Sequence, residues 1–137
     1  SPLAMGPYPW MAPEQWTDQR CSPASDVFML GATIAEAIIA QRPWAGTSTE
    51  SIISSVSRGE ITPLPVWFPC DVRSLVISCC STDPQARPPI AQVHAQLQDM
   101  AGQDGDSDPR PATKFSESND GLVDCGSDSD EPAHGDE

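Results

Sequence analysis

The stretch Ser25-Asp26-Val27-Phe28-Met29-Leu30-Gly31-Ala32-Thr33-Ile34-Ala35-Glu36-Ala37-Ile38-Ile39-Ala40 decides the fold. It reads as one helix that is apolar on nearly every side, and a helix without a wet face belongs inside something. Its polar residues sit at the start or at Glu36. The uninterrupted run between Asp26 and Glu36 is much shorter than the roughly 20 residues a bilayer requires. The expectation is a buried central helix rather than a membrane span.

Working outward, Ser22-Pro23 or Ser25 offers the N-cap, and Asp26 places a carboxylate near the positive end of the helix dipole. Gln41-Arg42-Pro43-Trp44-Ala45-Gly46 ends the helix, because Pro43 has no amide to donate and disfavours helical geometry at Arg42. Thr47-x-x-Glu50 reads as a capping box opening a second helix that runs to Gly59. Ile52, Ile53 and Val56 give that helix a narrow apolar stripe, so one side docks and the rest stays wet. Pro63, Pro65 and Pro69 make residues 60–69 an extended loop carrying Trp67 and Phe68. Helical spacing returns from Cys70 to Cys80 in Val72, Leu75, Val76 and Cys79, and Ser81-Thr82-Asp83-Pro84 breaks it. A last helix starts at about Pro89, with Ile90, Val93, Leu97 and Met100 on one face.

Upstream, residues 1–24 are rich in proline, glycine and aromatic rings, and prolines at 7, 9 and 13 exclude a long helix. A short helical turn follows Pro13, a residue suited to a first helical position. No stretch alternates as a strand does, so the folded part is expected to be all-α.

Composition divides the 137 residues into a foldable part, 1–100, and a tail, 101–137. Residues 1–100 hold five arginines against nine carboxylates, net −4; the tail holds Arg110 and Lys114 against eleven, net −9. The tail is mostly Asp, Ser, Gly and Pro, too poor in apolar surface to offset chain entropy, and reads as disordered. So acidic a chain is unsuited to nucleic acid, whose recognition needs clustered Lys and Arg. The tail suits basic partners.

Five cysteines without a C-x-x-C pair, an odd number, and no signal peptide point to reduced thiols in an intracellular, cytoplasmic setting. Buried thiols filling a core are expected rather than a metal site, which favours paired ligands. Ser1 in place of an initiator methionine reads as an excised piece or an incomplete gene product.

Four segments then appear in the order of a eukaryotic protein kinase domain, from the end of its activation segment onward. Trp10-Met11-Ala12-Pro13-Glu14 resembles the A-P-E motif. Ser25-Asp26-Val27-Phe28-Met29-Leu30-Gly31 resembles the D-V-x-S-x-G opening of that family's central helix, and Arg42-Pro43-Trp44 the R-P-F/W after it. Cys79 to Pro88 resembles the closing C-x-x-x-D-P-x-x-R-P. The tryptophan before Met-Ala-Pro-Glu and the cysteine of the closing motif look most like the tyrosine-kinase-like branch, mainly serine/threonine kinases. The resemblance covers residues 6 to about 100.

The resemblance implies a role for several residues. Glu14 and Arg87 are the ion pair that ties the end of the activation segment to the loop before the last helix. A carboxylate and a guanidinium meet there through two parallel hydrogen bonds. Asp26 braces the catalytic loop by accepting its backbone amides. Gly6, Pro7, Tyr8, Pro9 and Trp10 form the substrate-facing loop, with Pro7 where serine/threonine kinases usually carry a hydroxyl and Pro9 where tyrosine kinases usually carry a basic residue. Gly31 is explained by close approach of another backbone. In the tail, Ser127-Asp128-Ser129-Asp130-Glu131 fits acidophilic kinases of the casein kinase type and makes Ser127 a candidate phosphosite.

Phosphoryl transfer in this family uses a Gly-rich loop, a strand lysine, metal-binding Asp and Asn and a catalytic Asp. This sequence has no Gly-x-Gly-x-x-Gly, His-Arg-Asp or Asp-Phe-Gly, and its sole lysine is Lys114. The expectation is a chain with no catalytic, cofactor-binding or metal residues of its own, with ATP and Mg belonging to a complete family member. Its partners would be a protein substrate or the missing N-terminal kinase half. Two readings stay open: part of a protein serine/threonine kinase, or a non-catalytic binding module or pseudokinase-like scaffold.

Overall fold

A computed structural model describes residues 7–103. Five helices follow in order: α1 (Pro13–Thr17), α2 (Pro23–Ile39), α3 (Thr49–Ser57), α4 (Cys70–Cys79) and α5 (Ile90–Gln103), with a 3-10 turn over Pro84–Ala86 before the last. No strand occurs among the described residues, and the fold class is all-α. Within them, no helix is long and apolar enough to cross a membrane.

The central helix is α2, and its ends are set locally. Ser22 is the N-cap: its hydroxyl accepts from the Ser25 amide at 3.2 Å while the Ser25 hydroxyl accepts from the Ser22 amide at 2.7 Å. Two free amides are thus satisfied reciprocally, and Pro23 fills the first helical position. At the other end Ala40 turns left-handed, φ 60°, with its amide on the Glu36 carbonyl at 2.8 Å.

The apolarity of α2 is explained by two clusters that it feeds. Phe28 and Ala35 join Ala12, Ile52, Val56, Phe68 and Val76 on one side. On the other, Val27 meets Leu75, Cys79 and Val93, with Leu30, Leu97 and Met100 packed around them. Each fully buried large aliphatic or Phe side chain contributes about 1.5–3 kcal/mol, so this one helix organises much of the core. Its closest neighbour is α4. A Cβ at Gly31 would lie 2.7 Å from the Cys79 Cβ and 2.9 Å from the Cys80 Sγ, so glycine permits the crossing. Burial pushes the Cys79 thiol up to about 11 and the Cys80 thiol up to about 12. Both are therefore neutral packing groups at neutral pH.

One local expectation needs correction. The N-cap of α3 is Ser48, whose hydroxyl accepts from the Ser51 amide at 3.3 Å, and not Thr47 of a Thr47-x-x-Glu50 box. Adjacent hydroxyl residues carry the same capping chemistry, and the chain takes the one whose backbone is extended immediately before Thr49. Cys21, Cys79 and Cys80 are free thiols.

Bulky Trp44 also adopts a left-handed backbone, φ 57°, in the turn after α2. Such a conformation is costly for a large side chain. It is held because the indole is 8% exposed and the Trp44 amide donates to the Thr62 hydroxyl at 2.9 Å.

Candidate functional site

The segment Pro7–Trp10 is a pair of tight turns leading into α1. The Trp10 amide donates to the Pro7 carbonyl at 2.9 Å and the Met11 amide to the Tyr8 carbonyl at 3.2 Å. Prolines at 7 and 9 restrict φ and favour such turns. Tyr8 is buried at 9% exposure, and the Trp10 indole N–H donates to Glu36 Oε2 at 2.7 Å. Ala12 then caps α1 through its amide, which donates to Gln15 Oε1 at 2.7 Å, and Glu14 follows in the first turn.

Glu14 and Arg87, 73 residues apart in sequence, meet in a bidentate pair: Nη1 to Oε1 at 2.6 Å and Nη2 to Oε2 at 3.0 Å. The Arg87 side chain is fully buried and that of Glu14 is 13% exposed. The guanidinium spends its remaining donors on carbonyls: Nε on Ser81 at 2.7 Å, Nη1 on Ala24 at 3.0 Å and Nη2 on Thr82 at 3.3 Å. Its Cζ lies 5.0 Å from the centroid of the Phe28 ring. Burial works to raise the Glu14 carboxyl, but the Arg87 hydrogen bonds, a backbone amide and the Arg87 charge together outweigh it and hold the group below its usual range. One side chain therefore joins α1, the start of α2, the end of α4 and the loop before α5.

Asp26 lies in the first turn of α2 and is exposed. Among the described residues none hydrogen-bonds its carboxylate. Gly6, Ser127 and the acidic tail lie outside the described residues. The structure thus brings Glu14 and Arg87 together, places Pro7 to Trp10 shortly before Glu14, and leaves Asp26 exposed and outside the ion pair. Sequence reading missed the Trp10–Glu36 hydrogen bond; the signal was Glu36 itself, the lone charge between Val27 and Ile39.

No lysine occurs among residues 7–103, and no three His, Cys, Asp or Glu side chains among the described residues lie close enough to hold a metal ion.

An all-helical unit arranged around one apolar helix, with a buried carboxylate–guanidinium pair tying its first segment to its last loop, is the helical lobe of a protein kinase domain. The family model described as protein tyrosine and serine/threonine kinase matches residues 2–97, and the chain belongs to that family. It is 38% identical over 105 residues to the probable serine/threonine-protein kinase PkwA of Thermomonospora curvata, covering 76% of this chain and 14% of that protein. It is 30% identical over 91 residues to the probable serine/threonine-protein kinase drkD of Dictyostelium discoideum, covering 66% of this chain and 7% of that protein. The BDNF/NT-3 growth factors receptor of Gallus gallus is 30% identical over 98 residues, covering 71% of this chain and 12% of that protein. The chain spans no more than 14% of the length of these relatives.

Proposed function

We propose that this chain is the C-terminal portion of a catalytic domain whose complete protein transfers the γ-phosphate of ATP to serine or threonine of a protein substrate. The observation that carries the reading is the bidentate Glu14–Arg87 pair, which fixes the end of the substrate-facing segment against the helical core. A loop fixed at its end presents a peptide in one geometry, and phosphoryl transfer depends mostly on positioning and electrostatics. In this reading Pro7 to Trp10, together with Gly6, face the substrate, and Asp26 braces the catalytic loop. Exposure of the Asp26 carboxylate supports that role, because it leaves the acceptor oxygens open to a neighbouring segment. ATP and magnesium are then bound by residues elsewhere in the complete protein, and the N-terminal half of the domain is the principal partner of this one. The acidic tail, with Ser127 as a phosphosite, suits basic partners.

Free thiols at Cys21, Cys79 and Cys80 support a cytoplasmic setting. A second reading, a non-catalytic binding module or pseudokinase-like scaffold, draws on Pro7, which puts no hydroxyl where serine/threonine kinases usually have one. The deciding experiment is an assay of the complete protein with γ-labelled ATP, magnesium and mixed protein substrates, followed by phosphoamino acid analysis. Labelled phosphoserine or phosphothreonine is the expected result. Phosphotyrosine alone overturns the acceptor assignment, and no transfer by a protein that is folded leaves the scaffold reading.

A further inference from the structure

Leu75 of α4 and Val93 of α5 share one apolar cluster, with Leu97 and Met100 packed around it. Beside that contact the two helices leave a groove of about 400 Å³. Leu75 and Met100 give it apolar surface, while Asp71 and Ser74 on α4 and Asp99 and Gln103 on α5 line it with polar groups. No arginine or lysine lines it. Asp71 and Asp99 are exposed, and among the described residues neither belongs to an ion pair. Such a surface fits a large apolar side chain with a cation next to it.

The chain carries that combination once beyond the described residues. Residues 104–108 hold three carboxylates and residues 117–137 hold eight, but residues 109–116 hold none and contain both tail cations, Arg110 and Lys114. Phe115, the tail's only aromatic residue, follows Lys114 directly. Gln103, the last described residue, is itself part of the groove, and Lys114 comes eleven positions later. A connection of that length reaches up to about 36 Å when extended, ample for folding back over its own anchor. It also holds the segment at an effective concentration on the order of millimolar. We propose that Arg110–Phe115 docks in the groove between α4 and α5, with the Phe115 ring on Leu75 and Met100 and the Lys114 ammonium between Asp71 and Asp99. The same carboxylates repel the acidic stretches on either side, so charge selects the segment. This docking does not depend on the kinase reading, and its failure leaves that reading untouched.

The test is a nuclear Overhauser measurement on the full 137-residue chain, with methyl-labelled methionine and ring-protonated phenylalanine in an otherwise deuterated background. A cross-peak between the Met100 methyl and the Phe115 ring is expected, assigned by its loss in Phe115→Ser, with the Met11 and Met29 methyls unchanged as controls. Both test positions lie outside the helical core, so the variants leave it folded. Lys114→Glu should weaken the docking equilibrium about two- to fivefold, as for an exposed ion pair, and added salt should weaken it in the native chain. The charge swap Lys114→Asp with Asp71→Lys and Asp99→Lys should restore it. A mixture of chains carrying only labelled methionine with chains carrying only protonated phenylalanine should show no such peak. Its appearance there assigns the groove to a second copy and overturns the proposal. Absence of the peak in the native chain, or a peak indifferent to Lys114→Glu and to salt, overturns it as well.

Discussion

Two arginine–carboxylate pairs among the described residues share their chemistry and differ in everything around it. Arg58 and Glu60 meet at 3.0 Å just beyond α3, with side chains 59% and 50% exposed. Arg87 and Glu14 meet from opposite ends of the described chain with the guanidinium wholly buried. The first pair gains little over two hydrated ions, and such surface pairs are worth about 0–1 kcal/mol. The second is surrounded by carbonyls and an aromatic face, so losing either partner leaves a charge in a site shaped for two. Placement, rather than the type of contact, decides which pair holds the fold.

The largest expected effect comes from breaking the buried pair on the cationic side. Arg87→Ala strands the Glu14 carboxylate and three carbonyls, and urea unfolding of the full chain should show a loss of about 3–5 kcal/mol. Next comes a change that touches neither charge. Gly31→Ala places a methyl 2.7 Å from the Cys79 Cβ and pushes α2, which carries Phe28 beside Arg87, away from α4. Overpacking of this sort costs about 1–3 kcal/mol, despite the gain of up to about 1 kcal/mol in helix propensity. An unchanged or raised midpoint would show that the two helices can separate freely.

Acid sharpens the comparison further. The Glu14 carboxyl is lowered in the folded state, so its stabilisation is fully present above the unfolded value near 4.5 and is lost as pH falls through the folded value. Stability of the native chain should therefore decline below about pH 4.5, and Glu14→Gln should flatten that part of the curve. The smallest effect is expected at the exposed pair. Arg58→Ala should leave stability nearly unchanged, with any difference shrinking in high salt.

Most of the framework was legible because it depends on local signals. Prolines at 43, 63, 65 and 69 bound the helices, the apolar spacing of Val72, Leu75, Val76 and Cys79 marks α4, and motif order points to Glu14 and Arg87. Gly31 was legible as a close approach, although only the structure shows Cys79 and Cys80 as its neighbours. Other features depend on where distant groups come to lie. The carbonyls of Ala24, Ser81 and Thr82 around Arg87 leave no mark on residue identity, because every residue carries a carbonyl. The left-handed turn at Trp44 was hidden because its compensation comes from Thr62, 18 residues away. Ser48 rather than Thr47 caps α3 by a margin too fine for composition to resolve.

Glu14 and Arg87 act as one buried unit in the kinase helical lobe. A double-mutant cycle of Glu14→Ala and Arg87→Ala, read by urea unfolding of the full chain, tests it most directly. The account predicts a coupling energy of about 1.5–3 kcal/mol, at the upper end for residues in direct contact. The parallel cycle on Arg58 and Glu60 should show little or no coupling. Additive effects at Glu14 and Arg87, equal to those of the exposed pair, would contradict it.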